Sequence, residues 1–329
     1  MQRFTRSLSL AILSWIFLFR AGICQGSDLT IATFNCEFLT RPKVHIKFGA
    51  PFNINDAPAD VKQAWSQPGY RDQKFREAAR AVAQVIYSVG ADVIALVEVG
   101  DQNDVEELRS EVSALGLVYP HMALGISHDD VTKQHVAVFS KFPLQGILLE
   151  IPGRESYLSE EDDPESEEDT GVSKGMRVTF QAYGVEFMLY VVHLASEKGG
   201  HEQDQQRIAQ AAIVRRHYLP ALKDEKKVIV AGDLNDHRGQ PTLRRIRGFD
   251  DIDEDLIQTG HPEYFDKDKL DTRWTYEFEG IRQQIDHILL SNSVKEVTKK
   301  GGIKAHTLDH GNKQASDHRP LVVVLKLKD

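Results

Sequence analysis

The chain has 329 residues, 41% of them hydrophobic and 27% charged, ample to bury a large core in one or two domains. A formal net charge of −9 excludes the basic footprint of a passive duplex-binding protein, though not an enzyme that meets phosphates through a metal ion. With only Cys24 and Cys36, a disulfide-built scaffold is excluded as well.

Residues 1–26 read as a secretory signal peptide. Arg3 and Arg6 form a positive start, Leu8–Phe19 is an apolar run, and "AGICQGS" supplies small residues for cleavage. The run is shorter than the ~20 residues a membrane span needs, so no stable membrane insertion is expected once it is removed. Cleavage takes away three arginines and no acid, leaving −12. The expected location is secreted or periplasmic, with one catalytic domain over 27–329. Cys36 reads as a small buried residue rather than a nucleophile.

From residue 28, "LTIATFNCEFL" predicts a strand. "YRDQKFREAARAVAQVIYSVG" carries apolar residues at helical spacing (Phe75, Ala78, Ala79, Val82, Val85, Ile86) and stops at Gly90. "ADVIALVEV" predicts a buried strand, and "DQNDVEELRSEVSALG" a second helix ending at Gly116. "HVAVFSKFPL", "GMRVTFQAY" and "VEFMLYVVHL" follow as strands, the last two joined at Gly184. Residues 154–171 carry nine acids and one arginine, and predict an exposed, mobile loop; a sharper reading makes it an acidic flap beside a site. "DQQRIAQAAIVRRHYLPAL" is helical, and "KKVIVAGDL", "RQQIDHILLS" and "RPLVVVLKL" are further strands. Adjacent strands mixed with βαβ stretches point to a layered α/β sandwich.

Polar residues gather where these strands end: Asn35, Glu37, Glu98, His193, Asp233, Asn235, Asp286, Asp317 and His318. Each alone is ordinary loop polarity. Together the carboxylates are hard oxygen donors of the kind that suit Mg²⁺ or Mn²⁺. No Gly-Lys-Ser/Thr phosphate loop and no Gly-x-Ser-x-Gly elbow occurs. Acids, amides and imidazoles in this set fit metal-assisted attack of water on a phosphate ester.

"FNCE", "ALVEV", "VVHLAS", "VAGDLND", "QIDHILLS" and "SDHRPL", in this order over about residues 29–325, resemble the endonuclease/exonuclease/phosphatase superfamily, which includes pancreatic deoxyribonuclease, and its bacterial exported members in particular. The resemblance implies a four-layer α/β sandwich of two packed mixed β-sheets flanked by helices. It implies Glu37, Glu98 and Asp317 at a Mg²⁺ or Mn²⁺ site, Asn35 and Asn235 on phosphate oxygens, and His193 either bonding a phosphate oxygen or serving as an acid. Asp233 would align or deprotonate water, and Asp286 would orient His318, the main imidazole. Which of Asp233 and His318 takes the proton stays open. His287 reads as structural, because neighbours on a strand face opposite ways. Ala195 stands where exported relatives carry lysine, and His135–Val136 where a glycine is usual. Lys174, Arg177 and Arg207 are candidate phosphate cations.

The expected activity is that of a nuclease or other phosphodiesterase, on short or single-stranded nucleic acid. A phosphatase or sphingomyelinase-like phospholipase of the same fold is the alternative, and a non-catalytic binding protein a third. Trp65, Tyr70, Trp274 and Tyr276 are candidate base-stacking or rim residues. No hydrophobic membrane hairpin is expected.

Overall fold

Alternation of side chains along each strand decides which residues meet between layers. The computed structural model describes residues 28–161, 163–249 and 255–329, so the leader-like residues 1–26 lie outside the described residues. Its strands are β1 (Asp28–Leu39), β2 (Val93–Val99), β3 (His121–Leu124), β4 (His135–Ser140), β5 (Leu144–Leu148), β6 (Glu155–Leu158), β7 (Glu167–Thr170) and β8 (Gly175–Ala182). They continue as β9 (Val185–His193), β10 (Lys227–Asp233), β11 (Ile257–Gln258), β12 (Tyr276–Phe278), β13 (Ile281–Gln283), β14 (Asp286–Leu290), β15 (Thr298–Thr307) and β16 (Leu321–Leu327). The helices are α1 (Ala59–Trp65), α2 (Tyr70–Val89), α3 (Gln102–Ala114), α4 (Gly200–Lys223), α5 (Pro241–Arg247) and α6 (Asn292–Glu296).

Two six-stranded mixed sheets form, with orders β15-β16-β1-β2-β4-β3 and β11-β14-β10-β9-β8-β5. Leu29 and Ile31, Val93, Ala95 and Val97, and Leu321, Val323 and Leu325 of the first sheet meet Phe187, Leu189, Val191, Ile229, Ala231, Ile288 and Leu290 of the second in one buried core. The alternate residues face outward. Phe34, Ile94 and Val322 pack under α2 and α3, while Tyr190, Val228, Val230 and Leu289 pack under α4 and α5. Helix, sheet, sheet, helix is the four-layer sandwich. Each fully buried aliphatic side chain contributes about 1.5–3 kcal/mol, so the inter-sheet core alone fixes the strand faces firmly.

Helix α2 buries the stripe its spacing predicts, and Gly90 closes it in the left-handed conformation at φ 62°. Asp101 caps α3 by accepting from the amides of Asn103 and Asp104. The acidic stretch differs from expectation. Its flanks pair as the antiparallel ribbon β6–β7, with Tyr157 buried and bonded to Glu168, and Arg216 of α4 ion-paired to Glu155. Helix contacts and strand pairing thus override the loop-like composition. Among the described residues no helix is long and apolar enough to cross a membrane.

Candidate active site

The same alternation carries the polar strand ends into the seam between the sheets. Asn35 continues the inward face of Leu29 and Ile31, His193 that of Leu189 and Val191, and Asp233 that of Ile229 and Ala231. Asp286 shares parity with Ile288, whereas His287 shares it with Leu289 and turns to the helical side, where it bonds the Asp236 carbonyl at 2.8 Å. Gly232 lets β10 press on β9: a Cβ there would lie 1.9 Å from the Val192 carbonyl oxygen.

Glu98 does not follow the rule, because after Val97 its parity points outward. Here the pairing of β2 with both neighbours shifts register, and Glu98 adopts φ 59°; Glu37 and Phe38, opposite on β1, both have φ 45°. These bulges turn the Glu98 carboxylate back toward the seam. It accepts from Phe38 N at 2.9 Å, Gln134 Nε2 at 2.5 Å and Asn35 Nδ2 at 3.0 Å. Asn35 Nδ2 also donates to Asp233 Oδ2 at 2.9 Å, so one amide ties the two sheets' carboxylates together.

Asp286 opens β14 of one sheet and His318 stands just before β16 of the other, and they meet at 2.7 Å, carboxylate oxygen to Nδ1. His318 Nε2 then stands 4.0 Å from Asp233 Oδ2 and 3.9 Å from Asp317 Oδ1. Burial works against charge on this imidazole. Asp286, by charge and hydrogen bond, and Asp233 outweigh burial and push its pKa up to about 10. The buried Asp233 carboxyl, with Asp286 near, is pushed up to about 7, against the pull of His318 and the donors Asn235 N and Asn35. Burial, with Lys174 and His318 nearby, drives His193 well below its ordinary pKa, so its ring is neutral.

His193 Nε2 lies 3.7 Å from Glu98 Oε1. Among the described residues, two trios have ligand atoms within 4.8 Å of one another: Glu98, His193 and Asp233, and Asp233, Asp286 and His318. Glu37 and Asp317 belong to neither trio but open onto the same cleft. The three carboxylates expected at a metal, Glu37, Glu98 and Asp317, all line the cleft but do not come together as one such group; Glu98 instead groups with His193 and Asp233, a mixed oxygen and imidazole donor set that suits a divalent cation. Burial raises the Glu37 carboxyl, against the lowering effect of Lys47.

The cleft has a volume of about 500 Å³ and contains Glu37, Glu98, His193, Asp233, Asn235, Asp317 and His318. Asn35 and Asp286 sit behind it as fully buried supports. Asn235 Nδ2 bonds the Leu194 carbonyl at 3.0 Å. Of the candidate cations, Lys174 lines the cleft and pairs with Asp129 at 2.9 Å, while Arg177 and Arg207 do not line it. Lys198 lines it too, three residues past Ala195. Trp65 is buried between His45 and Tyr70, Trp274 is half-buried under Arg319, and neither lines the cleft.

Several contacts escaped sequence reading. Gln134 holds Glu98; Ser316 donates to the Asn35 carbonyl at 2.8 Å and accepts from His318 N at 2.9 Å. Lys47, its side chain fully buried, donates to the carbonyls of Cys36 and Ala315 at 2.9 Å each and lies 3.3 Å from Glu37. Only its place in "VHIKF", amid apolar neighbours, could have hinted at this. The β12–β13 turn also exposes Phe278 and Ile281, a small apolar hairpin not expected from sequence.

No curated protein matches this chain. Solved structures share its fold at low identity. Truncated TDP2 from Caenorhabditis elegans is 15% identical, with 91% of this chain and 98% of that chain covered at a TM-score of 0.55. A β-toxin mutant from Staphylococcus aureus with bound magnesium ions is 15% identical over 91% and 100%, at 0.52. An endonuclease/exonuclease/phosphatase family protein from Bacteroides thetaiotaomicron is 15% identical over 93% and 100%, at 0.50. The family model described as Endonuclease/Exonuclease/phosphatase family matches residues 32–318, from β1 to the His318 that completes the seam. On that match, across nearly the whole described fold, the chain belongs to the endonuclease/exonuclease/phosphatase family of hydrolases.

Proposed function

We propose that this protein hydrolyses phosphodiesters by attack of water, in a reaction that needs Mg²⁺ or Mn²⁺, and that its substrate is short or single-stranded nucleic acid. The observation that carries the reading is the continuous line Asp286–His318–Asp233–Asn35–Glu98, drawn from both sheets and opening on one cleft. Asp233, pushed up to about 7, holds the attacking water and can take its proton near neutral pH. His318, kept charged by Asp286, donates Nε2–H to a phosphate oxygen as negative charge builds there. Neutral His193 and the amide of Asn235 hold the other phosphate oxygens. Asn35 has its Nδ2 engaged by two carboxylates, so its role here is to orient them rather than to touch phosphate.

Glu98, with Glu37 and Asp317 beside it, would hold the divalent ion. When bound, the ion supplies neutralisation of the phosphate's charge. Lys174, Lys198 and the rings of Phe38 and Phe52 line the same cleft, a mixture of cations and flat faces that suits a strand with unstacked bases. The exposed Phe278 and Ile281 beside it favour a second reading, a phosphoester on a lipid headgroup.

A substrate panel separates the two. Single-stranded DNA and RNA, duplex DNA, sphingomyelin vesicles and a bis(4-nitrophenyl) ester are to be assayed after EDTA dialysis, with and without Mg²⁺ or Mn²⁺. Cleavage of single strands and the simple ester, absent in EDTA and restored by metal, is expected. Cleavage of sphingomyelin alone would overturn the substrate, and full activity in EDTA the metal. The leader-like residues 1–26 support a reaction outside the cytoplasm, which a cellular chain retaining Met1 would contradict.

A further inference from the structure

The dyad of Asp286 and His318 bridges two sheets, so something must hold its halves in register across the seam. The segment Trp274–Tyr276 does this on both sides. Toward the second sheet, Thr275 Oγ accepts from the amides of Ile285 and Asp286, at 3.1 Å each, and Thr275 N donates to the Gln283 carbonyl at 2.8 Å. Toward the first, the Thr275 carbonyl accepts from Arg319 N at 2.6 Å, and Tyr276 forms an isolated β-bridge with His318. Arg319 lays its guanidinium 3.4 Å from the Trp274 ring centre. Within this frame the Tyr276 ring lies on the His318 imidazole, with centroids 4.6 Å apart and planes 29° from parallel. Thr275 is fully buried and Tyr276 nearly so.

A hydrogen bond to Asp286 fixes Nδ1 but leaves the imidazole free to swing about that bond. A flat face packed on the ring removes this freedom and fixes where Nε2 points. We propose that Tyr276 is a positioning residue for His318, its ring holding the imidazole plane so that Nε2 faces Asp233 and the cleft. The inference rests on the reading of His318 as the reacting imidazole, but its geometry is independent of substrate. A planar ring at this distance stabilises a cationic neighbour as well as a neutral one. The hydroxyl is not required for the stack.

The test uses the full mature chain and two variants, Tyr276→Leu and Tyr276→Phe, each with two readouts. One is kcat and KM for a phosphodiester with Mg²⁺. The other is the low-field proton of the His318 Nδ1–H···Asp286 bond by NMR in metal-free protein. Tyr276→Leu is expected to lower kcat about 10²-fold, the scale of a misplaced reacting group, with KM within about threefold. Its low-field proton should broaden or move upfield, and Tyr276→Phe should retain both properties. Should the leucine variant fail to fold, Tyr276→Met keeps apolar bulk without a planar face and is expected to behave alike. Unchanged kcat and proton signal in the leucine or methionine variant would overturn the inference. So would loss of kcat in Tyr276→Phe with the signal intact, which would place the hydroxyl on substrate. An inactive wild type whose low-field signal still depends on Tyr276 would instead remove the functional reading and leave the positioning role standing.

Discussion

Replacing His318 by alanine is expected to lower kcat for phosphodiester cleavage about 10²–10⁴-fold, the range of a general acid–base group, with little change in KM. The reason lies in its surroundings. The imidazole is buried, yet Asp286 at 2.7 Å and Asp233 at 4.0 Å hold its pKa up to about 10, so its Nε2–H is available through the neutral range. Among the described residues, the other cations lining the cleft are Lys174, tied to Asp129, and Lys198, which lies over the Phe278 ring, and neither has an ion-pair contact with Asp233. Steady-state rates for wild type and His318→Ala under saturating Mg²⁺ check this. A variant within tenfold of wild type would remove His318 from the chemistry.

The second large effect is on stability. Lys47 lies on the turn Val44–Phe48, with its side chain fully buried and its ammonium among the carbonyls of Cys36 and Ala315 and the Glu37 carboxylate. It joins the end of β1 to the segment that delivers Ser316, Asp317 and His318. Methionine in its place removes the donor and leaves both acceptors, and stranding buried polar groups is costlier than replacing both partners together. Lys47→Met is therefore expected to lose about 3 kcal/mol or more in urea unfolding of metal-free protein, read from the midpoint at unchanged slope. Glu37→Gln should cost much less, because that side chain is 21% exposed and keeps a polar group. Equal midpoints for Lys47→Met and wild type would show that the ammonium is not holding the turn.

What could be read from the sequence was whatever alternation along a strand controls. Asn35, His193 and Asp233 end apolar runs and Asp286 opens one, each run with its inward face already fixed, so their arrival at one seam was legible, as was the outward turn of His287. Glu98 was legible as an acid at a strand end, but not the bulge that reverses its direction, because a left-handed residue at that point leaves no mark in "VIALVEV". Lys47 and Gln134 act through partners far away in the chain, and no local pattern marks them; Ser316 and Tyr276 stood out in the sequence, but not the contacts to Asn35 and His318 through which they act. The β6–β7 ribbon was hidden for the opposite reason: nine acids signal solvent strongly, while the pairing and its support on α4 arise only in the fold. The amide of Asn35 shows a further limit. Its position was legible, its two carboxylate partners were not, and those partners change the role proposed for it.

The central claim is that two sheets build one reacting unit, and a double-mutant cycle on Asp286 and His318 tests it most directly. Rates of metal-dependent diester cleavage are compared for wild type, Asp286→Asn, His318→Ala and the double variant. If Asp286 acts through His318, its substitution slows the wild type but adds nothing once His318 is alanine. Independent, multiplying losses in the double variant, or no metal-dependent cleavage by the wild type, would contradict the account.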